Sequence, residues 1–282
     1  MTTGPVVAAR IAQLIAPLRD DPASAAVLCD VDGTLAPIVG HPEDAAVPAQ
    51  TQETLRELAG LYALVACVSG RRAVEARRLV GVDELAYAGN HGLELLGPGA
   101  EEAIVDPAVE EAARAVRDFV LELEAAALSR AGLRLEHKGP IQALHWRGAA
   151  DEEAAERRAG LIAAEARQAG LEPRWGRKVL EIRPASGTDK GTAVARLLFE
   201  QPIEQALFAG DDRTDLDAFR ALRSLVDAGS LRGAVCIGIG SDEAPPELSD
   251  QADAVVAGPE EFVGVLRALA EPGARASRGA RG

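Results

Sequence analysis

The chain has 282 residues, 48% of them apolar and 26% charged, with 30 Lys+Arg against 44 Asp+Glu for a formal net charge of −14. This ordinary globular balance excludes a collagen-like or mainly disordered chain, and the length suits one large domain or two smaller ones. So acidic a chain lacks the electrostatic footprint for binding nucleic acid or anionic membranes, and a site for an anionic substrate must bring its own cations.

The longest apolar runs, such as 61–68, have about eight residues, far short of a membrane span. Residues 6–18 read as a short amphipathic helix, broken up by Arg10 and followed by Arg19, Asp20 and Asp21, and not as a secretory leader. Residues 25–29 predict a strand ending at Asp30, 48–59 a helix, and 64–68 a strand ending at Ser69-Gly70. A helix over 71–80 and a loop over 87–92 containing Gly89-Asn90-His91-Gly92 follow. After an interval of different character come a helix over 188–199, a strand over 206–209 ending at Gly210-Asp211-Asp212, a helix over 214–222 and a strand over 234–239. Strand–helix alternation of this kind predicts an α/β fold with a Rossmann-like parallel sheet covered by helices, whose ligands bind beyond the carboxyl ends of the strands.

The interval itself reads helix, hairpin, helix, hairpin. A long helix is predicted over 107–129, strands over 133–138 and 141–147 around Gly139-Pro140, a helix over 151–169, and strands over 172–175 and 178–183 around Gly176-Arg177. We therefore divide the chain into a core of 1–103 and 185–271, an inserted α+β cap domain of 104–184 and a disordered Gly- and Arg-rich tail of 272–282. A two-residue turn at Gly139-Pro140 pairs Lys138 with Ile141 and Glu136 with Ala143. Alternation then gives one face Arg134, Glu136, Lys138, His145, Arg147, Glu181 and Arg183, and the other Leu133, Leu135, Leu144, Trp146, Leu180 and Ile182. The apolar face packs on the insert's helices. The polar face is a ligand platform if the insert lies over the strand ends of the core; Arg134 is better read as solvated charge.

Asp30-Val31-Asp32-Gly33-Thr34 follows its strand directly. Two carboxylates so placed are costly unless a cation sits between them, and Mg²⁺, a hard ion with oxygen ligands, suits that role. Asp211 and Asp212 end another strand and could complete the ion's shell, and Asp215 falls in the following helical turn. Ser69 and the N–H groups beside it can hold phosphate oxygens, and Lys190 can offset their charge. The three cysteines (Cys29, Cys67, Cys236) lie far apart in apolar runs and read as buried, reduced thiols of a cytoplasmic protein.

Asp30-Val31-Asp32-Gly33-Thr34-Leu35, Ser69-Gly70-Arg71, Lys190-Gly191 and Gly210-Asp211-Asp212 with Asp215 together resemble the four motifs of the haloacid dehalogenase superfamily. The insert falls between the second and third, where that superfamily's larger α/β caps sit. Gly89-Asn90-His91-Gly92-Leu93-Glu94, Glu136 and Lys138, His145-Trp146-Arg147, Glu181 and Gly210-Asp211-Asp212-Arg213-Thr214-Asp215 narrow the resemblance to trehalose-6-phosphate phosphatases, over about 27–220. Trp146 stands where the family leads one to expect tyrosine, but on the packing face.

The resemblance implies Mg²⁺-dependent hydrolysis of trehalose 6-phosphate to trehalose and phosphate, with Asp30 as nucleophile and an aspartyl-phosphate intermediate. Asp32 is implied as acid and base, Ser69, Gly70 and Lys190 as phosphate ligands, and Asp30, the Asp32 backbone carbonyl and Asp211 as metal ligands, with Asp212 or Asp215 positioning water. Glu136, Lys138 and Glu181 are implied in sugar contacts; His145 and Arg147 share their face, and Asn90 and His91 form either a structural turn or a substrate-lining loop. Sucrose phosphate or a mannosyl- or glucosyl-phosphoglycerate remains open as substrate, as does a non-catalytic sugar-phosphate sensor. The sequence requires neither a nucleic acid nor a membrane partner, and a monomer suffices for this chemistry.

Overall fold

The computed structural model describes residues 5–39, 45–199, 201–241 and 244–271; the predicted disordered tail 272–282 lies outside them. The first stretch runs α1 (Pro5–Asp20), β1 (Ala25–Cys29), α2 (Ala49–Leu61), β2 (Leu64–Val68), α3 (Ala73–Val80), β3 (Ala86–Gly89) and β4 (Glu94–Leu96). The middle holds β5 (Ile104–Val105), α4 (Pro107–Glu122), α5 (Ala125–Arg130), β6 (Arg134–Lys138), β7 (Ile141–His145), α6 (Glu152–Gln168), β8 (Glu172–Gly176) and β9 (Val179–Arg183). The last holds α7 (Lys190–Phe199), β10 (Gln205–Gly210), α8 (Asp215–Asp227), β11 (Gly233–Ile239), α9 (Pro246–Gln251), β12 (Ala254–Val256) and α10 (Pro259–Ala270). Backbone contacts divide the chain into a core unit and a second unit spanning Ile104–Thr188. No helix of the described residues is long and apolar enough to cross a membrane.

The core sheet has the order β12-β11-β10-β1-β2-β3-β4. Its strands are parallel, except that β4 runs antiparallel to β3. Every residue of β1 is buried, as a strand covered on both faces must be, which is why Ala-Ala-Val-Leu-Cys reads as an unbroken apolar run. Val27 and Cys29 join α1, α2, α3 and α10 in one cluster, while Ala26 and Leu28 face α7, α8 and α9 in the other. The result is a three-layer sandwich. β1 lies between β10 and β2, with Cys29 level with Ala209 on one side and Cys67 on the other. The chain departs in opposite directions from this point, so the carboxyl ends of β10, β1 and β2 flank the crevice where an open α/β sheet binds ligands. Cys29, Cys67 and Cys236 are buried free thiols.

The second unit is a four-stranded sheet, β6-β7-β9-β8, backed by helices. Its first hairpin has the expected register, with Arg134 opposite His145, Glu136 opposite Ala143 and Lys138 opposite Ile141. Leu133, Leu144, Trp146, Leu180 and Ile182 pack on α4 and α6, as the alternation predicts. Trp146 meets Trp175 edge to face, with ring centroids 5.8 Å apart. α6 is capped by Asp151, whose carboxylate accepts from Ala154 N at 2.8 Å, an ordinary N-cap.

Three predicted elements differ. The long helix expected over 107–129 breaks at Glu124, whose φ of 46° is left-handed. Beyond the break Leu128 is buried, while Leu121, before it, is exposed. The first half of the loop expected over 87–92 is strand: Ala86–Gly89 pairs with β2 and with β4, although Ala and Gly carry little intrinsic strand preference, and Asn90–Gly92 form a 3₁₀ turn. The strand expected over 141–147 stops at His145, so Arg147 lies beyond the sheet.

Candidate active site

Asp30 directly follows the central strand, and its N–H donates to Ala209 O at 2.9 Å, so β10 fixes where its carboxylate starts. After it the chain turns sharply: Leu35 N and Ala36 N both donate to Val31 O at 2.9 Å. Gly33 is required in this turn. Its φ is +83°, and a Cβ there would lie 2.2 Å from Asp211 Oδ2, so any side chain is excluded by strain and by space. The turn also aims Thr34 Oγ1 at Asp211 Oδ1, to which it donates at 3.2 Å.

α7 starts at Lys190 and carries its ammonium into this crevice. Nζ lies 2.9 Å from Asp30 Oδ1, 2.7 Å from Asp215 Oδ1 and 4.0 Å from Asp212 Oδ1. The other oxygen of Asp215 accepts from Asp211 N at 2.9 Å and Asp212 N at 3.0 Å. Asp215 thereby folds the loop after β10 around its own side chain. Asp212 Oδ1 accepts from Thr214 N at 2.7 Å, from the Thr214 hydroxyl at 2.7 Å and from Asp215 N at 3.1 Å, capping the start of α8.

One buried ammonium serves too many carboxylates. Burial, reinforced by Asp211 and Asp212, pushes the Asp30 carboxyl up to about 8 although Lys190 pulls the other way. Burial and the charges of Asp215 and Asp212 push Asp211 up to about 7. Burial likewise drives Asp215 well above the carboxylate range. Asp212 goes the other way: Lys190 and the bonds from Thr214 and Asp215 outweigh burial and hold it at about 2. Lys190, despite burial, is held far above its ordinary value by Asp215, Asp30 and Asp212. Oxygens of Asp30, Asp211 and Asp215 lie within 4.8 Å of one another. An excess of buried carboxylate oxygen in so small a space fits a hard divalent cation, and these three residues could hold one.

Asp32 is turned elsewhere. Arg71 grips it with a two-pronged fork, Nε to Oδ2 and Nη2 to Oδ1, both at 2.7 Å. Its side chain is not among the clustered carboxylates of Asp30, Asp211 and Asp215. Ser69 is buried at the end of β2, with Arg71 N donating to its Oγ at 3.1 Å. Asn90 and His91 pack on this segment: Asn90 N donates to Arg71 O at 2.7 Å and His91 N to Ser69 O at 2.9 Å. Both have left-handed φ, 50° and 57°, an uncommon conformation for side-chain-bearing residues and one that marks a constrained site. A Cβ on Gly70 would lie 2.8 Å from His91 Nε2.

In the second unit, Lys138 Nζ donates to Glu181 Oε1 at 2.8 Å, and Arg183 Nε donates to Glu181 Oε2 at 3.0 Å. Glu136 Oε2 lies 2.6 Å from His145 Nε2, and that bond holds the Glu136 carboxyl below its usual range. Glu136, Ala143 and Glu181 are direct neighbours across three strands, so two carboxylates stand on either side of a small side chain. Arg147 is not gathered into this group; it is exposed and its Nη2 donates to Arg177 O at 3.5 Å. Arg134 is exposed, as solvated charge should be.

Arg71, Thr34 and Arg183 stand in the motifs and on the face read from the sequence, but without a role there. Only strand parity, which puts Arg183 beside Glu181, pointed to any of them.

The parallel sheet, with an aspartate at the end of its central strand and a lysine-bridged acidic crevice beside it, is the fold of haloacid dehalogenase-like hydrolases. A haloacid dehalogenase-like hydrolase from Bacteroides thetaiotaomicron shares the fold, with a TM-score of 0.58 at 16% identity over 87% of this chain and 98% of that one. The family model for trehalose-phosphatase matches residues 28–247, and the chain belongs to that family. It is 34% identical over 208 residues to a trehalose-phosphate phosphatase of Mycobacterium marinum, covering 70% of this chain and 51% of that protein. It is 34% identical over 212 residues to a trehalose 6-phosphate phosphatase of Zea mays, covering 70% and 58%. The chain thus spans little more than half the length of these relatives. A solved trehalose-6-phosphate phosphatase related protein superposes with a TM-score of 0.67 at 25% identity, over 91% of this chain and 99% of that one.

Proposed function

We propose that the protein hydrolyses trehalose 6-phosphate to trehalose and phosphate through a phosphorylated Asp30. The observation that carries this reading is Asp30 itself: a buried carboxylate at the end of the central strand, 2.9 Å from Lys190 and beside Asp211 and Asp215. An Asp30 oxygen attacks phosphorus as the bond to the sugar oxygen breaks. Asp32 protonates that departing oxygen and later takes a proton from the water that cleaves the acyl phosphate. Arg71 occupies both Asp32 oxygens, so this step requires the fork to open. Ser69, the N–H groups of Gly70 and Arg71, and Lys190 hold the phosphate. Asp30, Asp211 and Asp215, with the Asp32 backbone carbonyl, would hold Mg²⁺, which would supply positive charge against the phosphate dianion in so acidic a crevice.

The sugar is read by the polar face of the second unit. Glu136, Lys138 and Glu181 present two carboxylates and an ammonium around Ala143, donors and acceptors suited to a molecule that is mostly hydroxyl. Asn90 and His91, packed on Ser69–Arg71, line the phosphate side. Lys138→Ala should lower kcat/KM for trehalose 6-phosphate about 10–100-fold, the worth of one hydrogen bond to a charged group. Turnover of p-nitrophenyl phosphate should stay within about threefold. Equal losses on both would remove Lys138 from sugar recognition.

The raised carboxyls give the ion a pH signature. The stability contributed by protonated Asp30 and Asp211 is complete below their ordinary value of 3.8 and is lost as pH rises through about 7 and 8. An ion must displace those protons, so Mg²⁺ should bind more tightly, and raise Tm more, at pH 8 than at pH 6. A stabilisation independent of pH over that interval would contradict this assignment. Phosphate release from trehalose 6-phosphate, with and without Mg²⁺, tests the whole reading, and sucrose phosphate and glucosyl- and mannosyl-phosphoglycerate complete the panel. Preference for another member of the panel would replace the substrate; no turnover of any would leave a sensor.

A further inference from the structure

Glu94 is a buried carboxylate, 2% exposed, that the chemistry proposed above does not use. It stands on β4 directly opposite Gly89 of β3. Its Oε2 accepts from Ala73 N at 3.0 Å, and its Oε1 lies 3.6 Å from Arg72 Nε. Ala73 is the first residue of α3, and the N–H groups of a helix's first turn have no acceptor within the helix. Arg72, in the N-cap position, supplies no side-chain cap. Glu94 therefore does from another strand what Ser or Asp does at an ordinary N-cap.

Gly89 makes this approach possible, because a Cβ there would lie 2.1 Å from Ala73 N. The first turn of α3 thus sits against the end of β3, and the three residues just before Arg72 are Ser69, Gly70 and Arg71. That segment is held at Ser69 by Ser69 N donating to Ala88 O at 2.8 Å and by His91 N donating to Ser69 O, and at Arg71 by Asn90 N donating to Arg71 O. Glu94 fastens its far end.

We propose that Glu94 is a positioning residue for the phosphate-binding segment: by capping Ala73 it fixes where Ser69, Gly70 and Arg71 present their donors. This rests on the phosphatase reading, and in particular on phosphate being held by that segment. Small displacements of positioning groups are costly to a reaction that depends on alignment.

The test measures Kd for inorganic phosphate, KM and kcat for p-nitrophenyl phosphate, and Tm, in the wild type and in two variants, with Mg²⁺ present. Glu94→Ala removes the acceptor and should raise Kd and KM about tenfold, with kcat within about threefold. Glu94→Gln can accept from Ala73 only by turning its NH₂ toward Arg72, donor against donor, and should raise Kd about threefold. A structural role alone would lower Tm and leave Kd unchanged, which overturns the proposal. Should Glu94→Ala fail to fold, Glu94→Gln decides on the same criterion. A wild type that binds phosphate alongside variants that bind it equally well refutes only the role of Glu94. A wild type that binds none refutes the phosphatase reading with it.

Discussion

Asp30→Asn is expected to lower turnover of trehalose 6-phosphate by on the order of 10⁴-fold or more, because it deletes the atom that bonds to phosphorus. The amide has the shape of the carboxylate and still offers an oxygen to Lys190, so the fold should survive. The metal-free proteins should show this directly. In the wild type, burial with Asp211 and Asp212 holds the Asp30 carboxyl at about 8, so stability from this group is lost as pH rises through that value. Asparagine does not titrate. Tm of the metal-free variant should therefore fall less between pH 6 and pH 9 than that of the wild type. Phosphate release, a melting series and the mass of the protein quenched during turnover check the claim together. A folded variant that keeps more than about a hundredth of wild-type turnover would show that the nucleophile is elsewhere.

The parts of this site legible in the sequence are those set by local rules. Asp30, Ser69 and Asp211 each follow an unbroken apolar run, and a parallel strand buried on both faces reads as such a run. The inserted hairpin gave up its register because Gly139-Pro140 is a turn and alternation does the rest. Gly33 was readable as a turn glycine, but not its second constraint, the Asp211 carboxylate lying where its Cβ would be. What stayed hidden depends on contacts between distant segments. The Arg71–Asp32 fork joins residues 39 apart and the Thr34–Asp211 bond residues 177 apart, and neither pair carries a local signature. β3 escaped because Ala86-Tyr87-Ala88-Gly89 is strand by virtue of its neighbours, not its own preference. The break at Glu124 escaped because no Gly or Pro marks it; Glu124 itself is in a left-handed conformation there.

Lys190→Met should separate the two burdens that one ammonium carries. Methionine keeps much of the aliphatic stem and removes the charge. Lys190 is 2% exposed and Asp215 is fully buried, and removing one partner of a buried ion pair costs about 3–5 kcal/mol because the other charge is stranded. For a chain of this length that is a fall in Tm on the order of 10 °C. The fall must depend on pH. The stranded carboxyls can escape their predicament by taking up protons, and burial already favours the protonated forms of Asp30, Asp211 and Asp215. The deficit relative to wild type should therefore be small near pH 5 and grow toward pH 8, and Mg²⁺ should restore part of the stability by replacing the lost cation. Turnover should not return with it: the phosphate loses the charge that Lys190 aims at it, a loss of about 10²–10³-fold in kcat. Melting curves at pH 5 and pH 8, with and without Mg²⁺, followed by phosphate release from the same samples, measure both. A variant destabilised equally at both pH values would mean that Lys190 is packed as a hydrocarbon and not as the counter-charge of the three aspartates.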